Sequence, residues 1–350
     1  MTPTVPDTMN VAALAQLGPA DAAFEAVVRP VPRPGPGEFL VKIAACGVCG
    51  HDALARRGEL AATVGDVLGH EIAGVVVAAG SGDVADWVGR RVALVQRRPC
   101  GQCPDCARGA TSQCRRGPGF YGDDLPGGYA EYVLADPLNA VRLPDGVADE
   151  VAAVASCGIG TGLHALRKAR LEAGDVVVIT GAGGGVGFNA VRTAKALGLG
   201  VIACTGDDAK VASIVEAGAD RVLVRPDVAA VRGCARDLDR PRGVDAVIEV
   251  TGGPTFATSL RVLRPEGRLV LVGNTVPADL AIAPGLTIVK ELQVIGSAHA
   301  TRADLQEVID MIDTKRLDPI RPRRLPMSEA STAHAALDER TATGRTVLVP

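Results

Sequence analysis

The chain has 350 residues, 47% hydrophobic and 22% charged, and its length exceeds what one core usually serves, so two domains are expected. A net charge of -3 and a pI near 6.0 supply no field to attract nucleic acid or an anionic membrane, and no apolar run reaches the roughly 18 residues of a spanning helix. The start, residues 1–7, lacks the basic and apolar regions of a signal peptide, so the cytoplasm is the expected compartment, and the nine cysteines there point to metal rather than disulfides.

After a proline-rich entry at 29–37, residues 38–43 alternate as a strand does, and 72–79 and 91–95 are further strand candidates. The first third therefore reads as β-rich, with metal ligands on its loops. Gly47-Val48-Cys49-Gly50-His51-Asp52 is answered twenty-one residues after Cys49 by Gly69-His70-Glu71. Thiolate and imidazole are ligand types zinc prefers, and the neighbouring carboxylates Asp52 and Glu71 supply what surrounds such a site. Asp52 is the expected acceptor for the His70 nitrogen that does not bind metal. A catalytic zinc wants a third ligand. Cys157 is the best candidate, in a glycine-rich turn ahead of a nucleotide-binding strand, and three ligands leave a fourth position open.

Cys100, Cys103, Cys106 and Cys114 are spaced C-x2-C-x2-C-x7-C, which can close a tetrahedral zinc and makes that site structural. Gly127-Gly128-Tyr129-Ala130-Glu131-Tyr132 returns the chain to a strand, and a helical pattern over 151–170, broken by Gly158, Gly160 and Gly162, reads as a hinge. Then the period changes. Apolar runs at 176–180, 201–204, 221–224, 246–250, 269–272 and 292–295, most separated by helix-like stretches, describe a doubly wound parallel sheet. Between the first run and its helix lies Ala182-x-Gly184-x-x-Gly187, with Gly185 inside it, the turn expected to approach a pyrophosphate. The second strand ends on Thr205-Gly206 where NAD-binding chains usually carry a carboxylate. That leaves room for a 2′-phosphate, but Asp207 and Asp208 would repel one and no arginine adjoins. Lys210 serves either coenzyme, and the reading leans to NADP(H) over NAD(H).

These motifs together resemble the zinc-containing medium-chain dehydrogenase/reductase superfamily, with its G-V-C-x-x-D, G-H-E, G-G-x-A-E-Y and closing G-[KR]-x-V, from about residue 11 to residue 350. The resemblance implies an α/β fold: a β-rich GroES-like catalytic domain of 1–155 and 297–350 with a zinc lobe at 96–118, plus a Rossmann dinucleotide-binding domain at 156–296. It implies two zinc ions per chain, one catalytic and one structural, a coenzyme contact at Gly273 and Asn274, Arg345 reaching the pyrophosphate, and a homodimer or homotetramer. The implied reaction is zinc-dependent hydride transfer between NAD(P)(H) and a small alcohol or carbonyl substrate, with a pocket near Leu60, Phe120, Tyr121 and Leu163.

Two features depart from the alcohol-oxidising pattern. His51 stands where relatives carry Ser or Thr, and Leu54 stands where they carry a relay histidine; His51 either takes over the proton transfer or merely orients the substrate. The stretches 251–256, 272–274 and 289–292 resemble the acryloyl-CoA reductase branch, which implies reduction of an activated C=C bond as the alternative. A third reading is a dinucleotide-binding protein without turnover, like the superfamily's crystallins.

Overall fold

The alternation at 38–43 becomes the strand Phe39–Gly47, the centre of a seven-stranded sheet in a computed structural model that describes residues 4–273, 279–339 and 344–350. The sheet runs in the order Arg323–Pro326, Thr346–Val349, Phe39–Gly47, Glu71–Ala79, Arg91–Leu94, Ala140–Arg142, with Tyr132–Ala135 also paired to Phe39–Gly47. Its first pairing is parallel and the others antiparallel. The register sets Cys46 against Ile72 and Gly47 against Glu71, so the loops after Gly47 and before Glu71 leave the sheet side by side. Only glycine fits at position 47, where a Cβ would lie 2.1 Å from Glu71 Oε2. This sheet belongs to a compact unit of residues 1–157, 299–315 and 320–350.

Two local expectations are corrected. The segment 127–131 is not regular strand, which starts only at Tyr132: a Cβ at Gly127 would lie 2.3 Å from the Leu68 carbonyl oxygen, so the glycines serve close backbone approach. The glycines at 158, 160 and 162 do not break the helix. Asp149–Val154 runs into a π-helical turn, Ala155–Ile159, and then Gly160–Lys168. None of the three glycines has positive φ; Gly162 is small because a Cβ there would meet Ala190 Cβ at 3.1 Å. Cys157 therefore sits in a π turn rather than a loop, a feature frequent at functional sites.

The second unit, residues 158–298 with 316–319, is a six-stranded parallel sheet. Its order is Arg221–Val224, Gly200–Thr205, Val176–Ile179, Val244–Glu249, Leu263–Leu271, Gln293–Gly296, the doubly wound arrangement. Strands such as Val176–Ile179 are buried throughout because helices cover both faces, so two apolar clusters form, one around Val177, Ile179 and Val191, the other around Val178, Ile202 and Phe256. Among the described residues no helix is long and apolar enough to cross a membrane.

Glu249, fully buried at the end of its strand, ties the next loop to the sheet. Its Oε1 accepts from the Thr180 and Thr255 hydroxyls at 2.6 Å and from the Thr251 and Gly252 amides at 3.0 and 2.9 Å; Oε2 accepts from Ser259 at 2.5 Å. Glu249→Ala would leave these donors unmet in the interior. We expect a loss of about 3 kcal/mol or more, read as a lower denaturation midpoint of this unit.

Candidate metal centre and active site

Cys49 caps the short helix Gly50–Arg56, and its amide donates to Asp52 Oδ2 at 2.9 Å. The other Asp52 oxygen, Oδ1, lies 3.0 Å from His70 Nδ1. One carboxylate thus fixes the helix start and the imidazole together, leaving His70 Nε2 for a metal. Cys49, His70, Glu71 and Cys157, all buried, bring ligand atoms within 4.8 Å of one another. The Cys49 and Cys157 sulfurs are 3.7 Å apart, and the edge of a tetrahedron built on a Zn–S bond is about 3.8 Å. The donor set fits zinc.

Charge in this pocket is unevenly held. The hydrogen bond from Cys157 draws the Cys49 thiol well below its ordinary range against burial, helped by Arg345 and His70, while the same bond and burial push Cys157 well above. Both must be thiolates to bind metal, so loading releases the proton that Cys157 holds. Burial pushes Glu71 up to about 7, with Arg345 pulling the other way. Arg345 Nη2 is 3.2 Å from Glu71 Oε1, but the pair lacks hydrogen-bond direction and both carboxylate oxygens have no donor. Such an orphaned buried carboxylate is free to turn towards a cation. Arg345 also donates to the Val48 carbonyl at 3.3 Å and lies 4.0 Å from Cys157 Sγ, so a contact to pyrophosphate would compete with three partners here.

Beside the ligands, His51 Nε2 sits 2.9 and 3.0 Å from the two oxygens of Asp123. Burial lowers the proton affinity of His51, but Asp123 outweighs it and raises the imidazole above its usual range. Phe120 packs 5.3 Å from the rings of His51, His70 and His299, giving the centre an aromatic wall. Neither Asp123 nor His299 belongs to any motif in the sequence. Tyr121 is not pocket-lining: it is buried, its hydroxyl donating to the Leu134 carbonyl at 2.6 Å and accepting from Asn139. Leu163 is fully buried in the parallel-sheet unit.

The second cluster brings Cys100, Cys103, Cys106 and Cys114 together, with sulfurs 3.5 Å apart for Cys103–Cys106, 3.8 Å for Cys103–Cys114 and 4.0 Å for Cys100–Cys106. These spacings again suit a tetrahedral thiolate site, here with no position left open. The Cys100 amide donates to Cys114 Sγ at 3.3 Å, support a thiolate accepts well.

In the parallel-sheet unit the turn after Val176–Ile179 holds Ala182 by its amide to the Cys204 carbonyl at 3.0 Å, and Gly184 caps the helix Gly185–Ala196. A Cβ at Gly187 would lie 2.3 Å from the Gly181 carbonyl oxygen, so this glycine lets the helix start against the strand. Lys210 lies across the turn, its Cδ 2.6 Å from where a Gly183 Cβ would be. At the end of the second strand the Thr205 hydroxyl accepts from the Asp207 amide at 3.2 Å. An arginine does adjoin it, contrary to the sequence reading. Arg225 follows the strand Arg221–Val224, whose Val224 pairs with Thr205, and its guanidinium binds the Gly206 carbonyl and, at 2.7 Å, Asp208. Gly273 packs on Val250, whose carbonyl oxygen would be 2.2 Å from a Cβ; Asn274 lies outside the described residues.

Residues 35–145 match the alcohol dehydrogenase GroES-like domain and residues 185–314 match the zinc-binding dehydrogenase family. The acryloyl-coenzyme A reductase of Metallosphaera sedula is 31% identical over 321 residues, covering 91% of this chain and 93% of its own. The crystal structure of AibC superposes with a TM-score of 0.91 at 39% identity, covering 98% of this chain and 96% of that one. The acetophenone reductase of Geotrichum candidum in complex with NAD gives a TM-score of 0.89 at 30% identity, with 99% of each chain covered.

Proposed function

Because this chain belongs to the zinc-containing medium-chain dehydrogenase/reductase superfamily and is an oxidoreductase of the zinc alcohol dehydrogenase type, we propose that Cys49, His70 and Cys157 hold its catalytic zinc. The observation that carries this is the convergence of two thiols and one imidazole at the spacing of a tetrahedral edge. Zinc held there would supply a Lewis acid for an alcohol or carbonyl group, and a bound nicotinamide coenzyme would supply or accept the hydride. The protein's own part is in the surrounding groups. Asp123 accepts from His51 Nε2–H, which leaves His51 Nδ1 as the atom to take the substrate proton in oxidation or return it in reduction. Phe120 excludes water from the same side, and Glu71 is the carboxylate in reserve next to the ligands.

Cys100, Cys103, Cys106 and Cys114 would hold the structural zinc, for two ions per chain. We assign 1–155 and 297–350 to the catalytic domain and 156–296 to coenzyme binding through Ala182, Gly184, Gly185 and Gly187, in a cytoplasmic homodimer or homotetramer. The test is a coenzyme-linked screen of alcohols, aldehydes, enones and enoyl thioesters with product identification, beside metal analysis. Turnover of alcohols or carbonyls with about two zinc ions per chain is the expected result. One zinc held only by the lobe would reject the catalytic assignment.

A second reading is favoured by the likeness to the acryloyl-coenzyme A reductase: hydride addition to an activated C=C bond. The screen includes its substrates for that reason.

For the coenzyme we propose NADP(H). Thr205 presents no carboxylate, and Arg225 is within reach of the Gly206 backbone while its pairing neutralises Asp208. Arg225→Ala should therefore reduce the ratio of kcat/KM for NADPH over NADH by about tenfold, through the KM for NADPH. A ratio that stays put would show that Arg225 does not contact the 2′-phosphate, and a wild type preferring NADH strongly would show that Asp207 or Asp208 binds ribose hydroxyls instead.

A further inference from the structure

Behind the metal centre lies a file of buried polar groups, two of which, Arg56 and His334, no sequence motif marks. Arg56 is fully buried, although an arginine is among the costliest side chains to take from water. Its guanidinium is met on every side: Nη1 by the Gly18 carbonyl, Nη2 by Asp338 Oδ2 at 2.6 Å, and Nε by His334 Nδ1 at 3.3 Å. His334, also fully buried, packs its ring 4.7 Å from Phe24 and puts Nε2 3.0 Å from the hydroxyl of Tyr129. That hydroxyl lies 3.4 Å from Asp52 Oδ2, and Asp52 Oδ1 is the partner of His70 Nδ1.

The direction of every link follows from one fact. A guanidinium has donors only, so His334 Nδ1 must accept, and a neutral imidazole that accepts at Nδ1 carries its proton on Nε2. Burial keeps His334 neutral, pushing it down to about 4. Nε2–H then donates to the Tyr129 oxygen, whose own hydrogen is left for Asp52. Asp52 accepts from both sides, from Tyr129 and from His70 Nδ1–H. Residues far apart in the chain, 56, 129 and 334, thus orient the carboxylate of Asp52, which as an acceptor takes the His70 Nδ1–H.

We propose that Arg56, His334 and Tyr129 are positioning residues for the catalytic metal: their one-way chain of donors holds Asp52 as the acceptor of His70 Nδ1–H and keeps His70 Nε2 bare and aimed at the ion. The proposal rests on the zinc reading of Cys49, His70 and Cys157. It differs from a packing role in what it predicts for Tyr129→Phe, which keeps the ring and removes one oxygen.

The experiment measures metal affinity on the full chain by chelator competition with zinc, and with cobalt(II) followed by its visible absorption. Tyr129→Phe and His334→Ala should each weaken the second, more labile metal about tenfold, while the four-cysteine lobe keeps its ion. His334→Gln, whose amide can accept from Arg56 and donate to Tyr129, should restore most of the affinity. Wild-type affinity in both Tyr129→Phe and His334→Ala would overturn the proposal and leave the file a packing feature. Tyr129→Phe carries the test alone should His334→Ala fail to fold. A wild type that binds one ion, with Cys157→Ala binding it as well, would overturn the zinc reading beneath.

Discussion

Cys157→Ala should lower turnover of alcohols and aldehydes by about a thousandfold or more and leave dinucleotide affinity within about twofold. Removing this thiolate leaves Cys49 and His70 with only the Glu71 carboxylate, itself paired with Arg345, as a third donor, a set that holds an ion more weakly and with no fixed open position. An alcohol then lacks the electropositive partner that lets it lose a proton near neutrality, a contribution of several kcal/mol, and about 4 kcal/mol corresponds to a thousandfold in rate. The dinucleotide turn, Ala182 to Gly187, is organised by its own strand and helix, with Ala182 tied to Cys204 and Gly187 against Gly181, so it has no need of Cys157. An enoyl thioester behaves differently, because its acceptor carbon is already activated by conjugation. Steady-state rates with both substrate classes, beside a coenzyme binding titration, make the distinction. Retention of most of the turnover with any substrate would remove zinc as the electrophile and favour double-bond reduction.

What the sequence makes legible about such a site is the part fixed by ligand chemistry. Cys49, His70 and the four lobe cysteines stand out because few other uses exist for those residue types at those spacings, and the Gly47–Glu71 register explains how the first two come together. The central parallel strands are legible because a strand buried on both faces reads as an unbroken apolar run, as in Val176–Ile179. The hairpin of Thr8–Leu14 and Phe24–Pro30 is not: its second strand is half exposed without alternation, leaving periodicity nothing to detect. Asp123, Arg225 and His334 are invisible for another reason. Each reaches its partner through tertiary structure, Asp123 across 72 residues to His51, Arg225 from the neighbouring strand, and His334 across 205 residues to Tyr129. Gly162 misleads because a small residue demanded by helix packing looks the same in sequence as one demanded by a turn.

Cys103→Ala should remove one zinc per chain and lower the unfolding midpoint by roughly 5–10 °C, the equivalent of about 3 kcal/mol. Between residues 97 and 120 the regular structure amounts to two-residue strands, Arg97–Arg98 and Gly119–Phe120, the four-residue helix Pro104–Ala107 and one 3-10 turn, Thr111–Gln113. No apolar cluster could hold this segment closed, so the thiolates and their ion must. The consequence reaches the active centre, because the returning strand carries Phe120 against His51 and His70. A slack lobe should therefore raise KM and reduce kcat even though the catalytic ligands are untouched. Limited proteolysis supplies the local readout: Arg108 and Arg115, both exposed, should become the first tryptic sites in Cys103→Ala while remaining protected in the wild type. A variant that has lost one zinc yet melts at the wild-type temperature and resists trypsin would show that the lobe is held by its backbone hydrogen bonds, such as Ala107 to Cys103 and Gly109 to Cys106, and that the metal there contributes nothing to the fold; one that keeps both ions would show that Cys103 is not a required ligand.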